Sequence, residues 1–269
     1  MTRSSADGSG AQGAETPSIL TKAFDLLHAF NPHERVMTLS ELSRASGLPK
    51  STVHRLLARL VDLGAVEHHR SGYKIGVGLL QLGASTPAGY MRDLAMPYLA
   101  NLHRWTGQTV AFAVLREFDV VYLEKLAPTD SPSSIAQVGS RLPANCTAIG
   151  KILLAHENLD DLADFLPSPM PGMTPQSVTD VATLVDQLRT ARGEGVARET
   201  DEAQLGLSCV ATGLVMNGFA IGAVSVGFPT GTAMPAQLES ALRDTASKVV
   251  KDVEAGLAKG RGHWFPREI

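Results

Sequence analysis

"SGLPKSTVHRLLARL", residues 46–60, decides how the N-terminal part of this 269-residue chain is read. Gly47 and Pro49 leave room only for a tight turn, after which Val53, Leu56, Leu57 and Leu60 supply one apolar face of a helix ending at Gly64. The other face is polar: its first two turns hold Lys50, Ser51, Thr52, His54 and Arg55, with Arg59 one turn further on. That many donors on one short helix need a reason in a chain whose formal net charge is -3.

The flanking sequence supplies one. Upstream, Ser40 is the expected cap of a short helix reaching about Ala45, with Leu39 and Leu42 turned inward and Gly47 closing it. Further upstream, Thr16 followed by Pro17 signals a helix start. Ile19, Leu20, Ala23, Phe24, Leu27 and Phe30 then recur at helical spacing until Asn31 and Pro32. Downstream, "AVEHH" and "YKIG" are short extended segments joined through Arg70, Ser71 and Gly72. Three helices and a hairpin spell a winged helix-turn-helix. In that motif the second helix of the pair lies in the major groove. Ser51, Thr52 and the first-turn backbone amides suit phosphate, whereas Lys50, His54 and Arg55 reach backbone or base edges. Arg70 and Lys74 of the wing are placed to meet an adjacent groove or backbone. The competing reading is a solvated amphipathic helix in a small helical subdomain. Charge favours DNA: residues 16–80 hold eight Lys and Arg against five Asp and Glu, about +3, so the remainder carries about -6.

The later sequence reads differently. "PAGYMRDLAMPYLANLHRW" is helical but holds Pro97, where a kink or restart is expected. "TVAFAVLRE" and "DVVYLEKLA" are β-rich runs around a turn near Glu117 and Asp119, and "SIAQVGS" is a third strand candidate. "CTAIGKILLAH" and "DVATLVDQLRTARGEG" read as helices and "VARET" as a short strand. "LSCVATGLVMNGFAIGAVSVGF" is a hairpin turning at Asn217 and Gly218, and residues 235–257 form a last amphipathic helix. Strands and helices in runs, without strict βαβ alternation, predict an α+β fold with an antiparallel sheet flanked by helices.

Two cysteines, Cys146 and Cys209, are too few for a disulfide scaffold and lack zinc-site spacing, which fits a reducing cytoplasm. The scattered histidines give no metal site, and no cofactor is expected. No apolar run of about 18 residues predicts a membrane span, and the Ser- and Gly-rich residues 1–15 read as a disordered tail without a secretory signal. Asn145 or Thr147 stands where a helix begins, so its amides could meet a small anion such as a carboxylate. The dipole there would also favour a Cys146 thiolate, although such a cysteine more often simply packs. Cys209 within "LSCVA" reads by base rate as a buried small hydrophobe, and the acidic run 199–202 as a solvated edge. Phe112, Tyr122 and Phe219 are candidates to flank a ring. The tail "GRGHWFPREI" sets Trp264 and Phe265 in a polar context.

"TLSELSRASGLPKSTVHRLLARLVDLGAVEHHRSGYKIGVGLLQLG" closely resembles the winged helix-turn-helix of IclR-type bacterial transcriptional regulators. "LPANCTAIGKILLA" and "GEGVARETDEAQLGLSCVATGL" look like that family's effector-binding domain, and the resemblance covers about residues 17–258. It implies a DNA-binding domain over 16–76, a linker helix over 77–92, a GAF-like effector domain over 93–260 and a tail over 261–269. It further implies a homodimer or dimer of dimers on operator DNA. By the same resemblance, Leu142, Ile149, Gly150, Glu199, Leu207, Cys209 and Ser225 line a pocket for small organic acids or aromatic metabolites. Two other functions remain open: a thiol-based redox-sensing regulator using Cys146 and Cys209, and a cysteine-dependent redox enzyme of GAF-like fold. The enzyme lacks any evident base beside either thiol.

Overall fold

The computed structural model describes residues 17–30, 36–129 and 135–259, which divide into two compact units at residues 84 and 85. The expected tails over 1–15 and 261–269, the Thr16 cap and the stop at Asn31 and Pro32 lie outside the described residues.

In the first unit α1 spans Ile19–His28, capped by the Ser18 hydroxyl. Its buried face is Leu26, with Ala23, Leu27 and Phe30 packed beside it. Ile19, Leu20 and Phe24 point to solvent, each at least 60% exposed. Helix α2, Leu39–Ser46, is capped by Thr38 and not by Ser40. Glu41 stands three residues after Thr38, so the hydroxyl accepts from the Glu41 N–H while the Glu41 carboxylate accepts from the Thr38 N–H at 2.7 Å. That N–H holds the Glu41 carboxyl below its usual range. Gly47 then takes a φ of 69°, a left-handed turn open to glycine at no steric cost. Helix α3, Lys50–Asp62, follows at once and buries Val53, Leu56, Leu57 and Leu60 against Leu26 and Leu42. Strands β1, Val66–His69, and β2, Gly72–Ile75, form the hairpin, which Met37 extends through two backbone hydrogen bonds to Tyr73.

The stretch expected as one linker helix holds two. Helix α4, Gly78–Ala84, stops before Thr86, which caps α5, Pro87–Thr106. Pro97 neither ends nor restarts α5: both Pro97 and Asp93, whose carbonyl loses its partner, are exposed, so water can satisfy that group.

The second unit is built on one antiparallel sheet: β3 (Thr109–Arg116), β4 (Asp119–Leu126), β5 (Arg141–Pro143), β6 (Ala197–Thr200), β7 (Leu207–Met216) and β8 (Phe219–Pro229). Their order is β5-β4-β3-β8-β7-β6. Residues 135–140 of the expected strand "SIAQVGS" form a turn instead, in which the Ser140 N–H donates to the Gln137 carbonyl and the Ser140 hydroxyl accepts from the Gln137 N–H. The Gly139 N–H and the Ser140 carbonyl reach across to Tyr122 of β4, while the Gln137 groups and the Ser140 N–H bond locally, so the segment does not continue as a strand. One face of the sheet packs against α5 and α9 (Leu238–Ala258) through Phe112, Val224 and Val249. The opposite face meets α6 (Ala148–Leu154), α7 (Leu162–Phe165) and α8 (Val181–Glu194) through Ile149, Ile152 and Leu188.

Candidate functional site

The polar side of α3 is free of the core. Lys50, Ser51, His54, Arg55 and Arg59 are exposed and Thr52 is half-buried. Pro49 sits at the N-cap and gives no side-chain hydrogen bond; only its carbonyl serves the helix, accepting from Thr52 and Val53. The first-turn amides therefore point outward without a side-chain acceptor of their own. Arg59 lies 3.6 Å from Asp62 in an exposed pair of little strength. In the wing Arg70 is exposed, while Lys74 is held 2.9 Å from Glu67, whose carboxyl is pulled down first by the Val77 N–H and then by Lys74.

In the second unit the sheet register explains a cavity on the α6 face. Cross-strand pairs align Thr109, Gly227, Cys209 and Glu199 in one row and Lys125, Ala111, Ser225 and Ala211 in the next. Most of these are small, so the rows leave a cavity of about 190 Å³. Tyr122, Leu207, Cys209, Ser225, Lys125 and Gln204 are among the residues lining it, and the Gln204 Oε1 has no hydrogen-bond partner. Three of the expected pocket residues, Leu207, Cys209 and Ser225, therefore meet, and Glu199 stands beside Cys209 across the strand pair. Leu142, Asn145, Cys146, Ile149 and Gly150 do not line this cavity. They belong to the packing of α6 on the same face. The Asn145 amide donates to the carbonyls of Pro171 and Val178, both at 2.8 Å, so it staples a loop and does not cap the helix. Thr147 is the cap. Gly150 is required by contact: a Cβ there would lie 2.1 Å from the Ala144 carbonyl oxygen. Of the ring-flanking candidates only Tyr122 reaches the cavity, since Phe112 is buried on the opposite face and Phe219 is exposed at the hairpin end.

Both thiols are pushed up. Burial raises that of Cys146, so it packs and is not the thiolate that a helix start can favour. Cys209 is raised well above the ordinary value by burial and then by the Glu199 carboxylate. The acidic run is no solvated edge either: Glu199 and Glu202 are 4% and 7% exposed. Burial raises the Glu199 carboxyl, whose Oε1 lacks a hydrogen-bond partner. Glu202 pairs with Lys151 of α6, which is buried as well. Sequence reading missed Lys151, although a single cation inside "AIGKILLA" was its signal; Lys125 and Gln204 gave none.

A larger open groove of about 700 Å³ lies beside the β3–β4 turn, lined in part by Phe118, Leu162 and Phe165. It also carries Glu117, Glu157 and Asp161 against the single cation Arg116, a net negative lining that disfavours an acid, and none of the expected residues. Among the described residues no cluster of three or more His, Cys, Asp or Glu could hold a metal ion, and no helix is long and apolar enough to cross a membrane.

Comparison with known proteins agrees with both units. The model of the C-terminal domain of bacterial IclR transcriptional regulators matches residues 89–251, and that of the IclR helix-turn-helix matches residues 19–70. The HTH-type transcriptional regulator KdgR of Escherichia coli (strain K12) is 30% identical over 223 residues, covering 80% of this chain and 84% of that protein. XynR of the same organism is 30% identical over 194 residues, covering 71% and 77%. The crystal structure of an IclR homolog from Microbacterium hydrocarbonoxydans complexed with 4-hydroxybenzoate superposes with a TM-score of 0.81 at 28% identity, covering 88% of this chain and 100% of that one. The chain belongs to the IclR family of bacterial transcriptional regulators, which join a DNA-binding helix-turn-helix to an effector-binding C-terminal domain.

Proposed function

We propose that this regulator reads an operator with the outward face of α3 and responds to a small organic acid with an apolar or aromatic body. Residues 16–76 take the DNA-binding role, 77–92 the link and 93–260 the effector role. Lys50, Ser51, Thr52, His54, Arg55 and Arg59 face the major groove, with Arg70 and, less freely, Lys74 on the flanking backbone. The observation that carries the effector reading is the 190 Å³ cavity, whose floor of Ala111, Ser225 and Gly227 has room for little more than one ring. The 4-hydroxybenzoate bound by the Microbacterium relative supports an aromatic acid. Exposed Ile19, Leu20 and Phe24 on α1 and Leu80 and Leu82 on α4 support a homodimer, since apolar side chains in this number favour cover by a second copy. The effector must bind two states of that dimer unequally, or operator affinity cannot change.

A thermal-shift screen of small aliphatic and aromatic carboxylates on the full chain tests the reading. A true effector at about 100 times its Kd stabilises by about 2.7 kcal/mol, a rise on the order of 5–10 °C. A flat response across both sets would sink the proposal.

The raised thiols argue against redox sensing, because the thiolate is the species oxidised. Replacing both cysteines with serine is expected to leave the effect of peroxide on operator affinity unchanged in a gel-shift titration. A peroxide response that vanishes in the double variant would restore the thiol switch.

A further inference from the structure

We infer that Lys125 is the residue by which the cavity selects an anionic effector, an assignment that rests on reading this cavity as the effector site. The backbone places it there by an irregularity. Between Phe112 and Ala113 the β3–β4 register shifts: Ala113 pairs with Tyr122, Phe112 with Glu124 and Ala111 with Lys125, so Leu123 is the extra residue of a bulge. In regular alternation Tyr122 and Glu124 would share one face and Lys125 would point to the other. The bulge reverses this, so Lys125 joins Tyr122 and Ala111 at the cavity wall. Glu124 is turned opposite Phe112, on the face where Arg92 lies 4.0 Å away.

What surrounds the ammonium suits an anion. Lys125 is the one charged side chain among the described residues that line the cavity. Its Nζ donates to the Ala136 carbonyl at 2.9 Å, and no carboxylate of the described residues comes within ion-pair distance. An ammonium has three donors, so at least one remains for a ligand. Burial lowers its pKa, which a bound anion would oppose. At the far edge of the sheet, on β6, Glu199 stands beside Cys209 without lining the cavity, and burial raises its carboxyl. The cavity's only charged lining group among the described residues is therefore the ammonium, and the ligand's carboxylate belongs at β4.

Benzoate and its neutral isostere benzamide separate the charge from the shape. In calorimetric titrations of the full chain at pH 7, the wild type is expected to bind benzoate about 10- to 100-fold more tightly than benzamide, the effect of one hydrogen bond to a charged group. Lys125→Met should abolish that preference by weakening benzoate alone, with benzamide affinity unchanged as evidence of an intact cavity. Lys125→Arg should keep most of it. Equal binding of the two probes by the wild type, or a preference that survives in Lys125→Met, overturns the assignment while the cavity stands as a ligand site. If the wild type binds neither probe, the reading of the cavity falls and the assignment with it. Loss of both probes in Lys125→Met and Lys125→Arg alike would overturn it in favour of a structural role.

Discussion

Lys151→Ala is expected to destabilise the C-terminal unit by about 3–5 kcal/mol, because it leaves a buried carboxylate without its cation. Lys151 is 2% exposed and sits in the middle of α6 facing Glu202, which is nearly as deep. The Glu202 carboxylate also accepts from the Val178 N–H at 3.2 Å, and its carbonyl accepts from the hydroxyls of Thr174 and Ser177. Its own N–H donates to Glu199 Oε2 at 3.0 Å. One residue thereby ties the β6–β7 connection to the 171–178 loop and, through Lys151, to α6. With the ammonium gone, two acidic side chains would share a dry site with only backbone donors between them. Lys151→Met combined with Glu202→Gln should recover more than half of the loss, since a neutral amide keeps the Val178 bond and no charge stays uncompensated. Urea unfolding followed by circular dichroism reads both variants. A loss below about 1 kcal/mol for Lys151→Ala would mean that water reaches Glu202, and the pair would not be the buried brace described.

Local signals made much of this fold legible. Gly47 between two apolar repeats and Asn217 with Gly218 between two strands both act within four residues of chain. The structure puts Gly47, Asn217 and Gly218 at positive φ as turns of those kinds require. The cap assigned to Ser40 failed because two hydroxyls stood close together and only Thr38 has its carboxylate at the right offset. Features set by distant partners were not legible. Glu199 and Glu202 read as a solvated run because sequence does not show Lys151 arriving from residue 151 or the loop at 178 closing over them. Asn145 read as a helix-terminal group, yet its acceptors lie 26 and 33 residues ahead. Lys125 was hidden by alternation itself, since a one-residue bulge exchanges the two faces and β-rich composition does not mark where it falls. On α3 the polar face was legible because its counterpart, the apolar face, follows from helical period alone.

That face carries the second large effect. Arg55→Ala is expected to weaken operator binding by about 1–3 kcal/mol at each half-site it reads, so by about 2–6 kcal/mol for a dimer on two half-sites. Arg55 is exposed on α3, directed away from Leu56 and Leu57, and makes no ion pair with a described residue, so it enters a groove without first giving up a partner. A base contact has a second signature: sequences selected with Arg55→Ala should lose preference at one position of each half-site and keep the rest. Lys50 stands at the first turn, beside amides that Pro49 leaves without a side-chain acceptor, and suits phosphate. Lys50→Ala should therefore lower affinity evenly across sequences and reduce the salt slope by about 1 per copy. Operator sequences selected with the wild-type protein, followed by gel-shift titrations at several salt concentrations, separate the two roles. If Arg55→Ala leaves both affinity and selected sequence unaltered, α3 is not the reading helix, and the basic wing at Arg70 becomes the element to test.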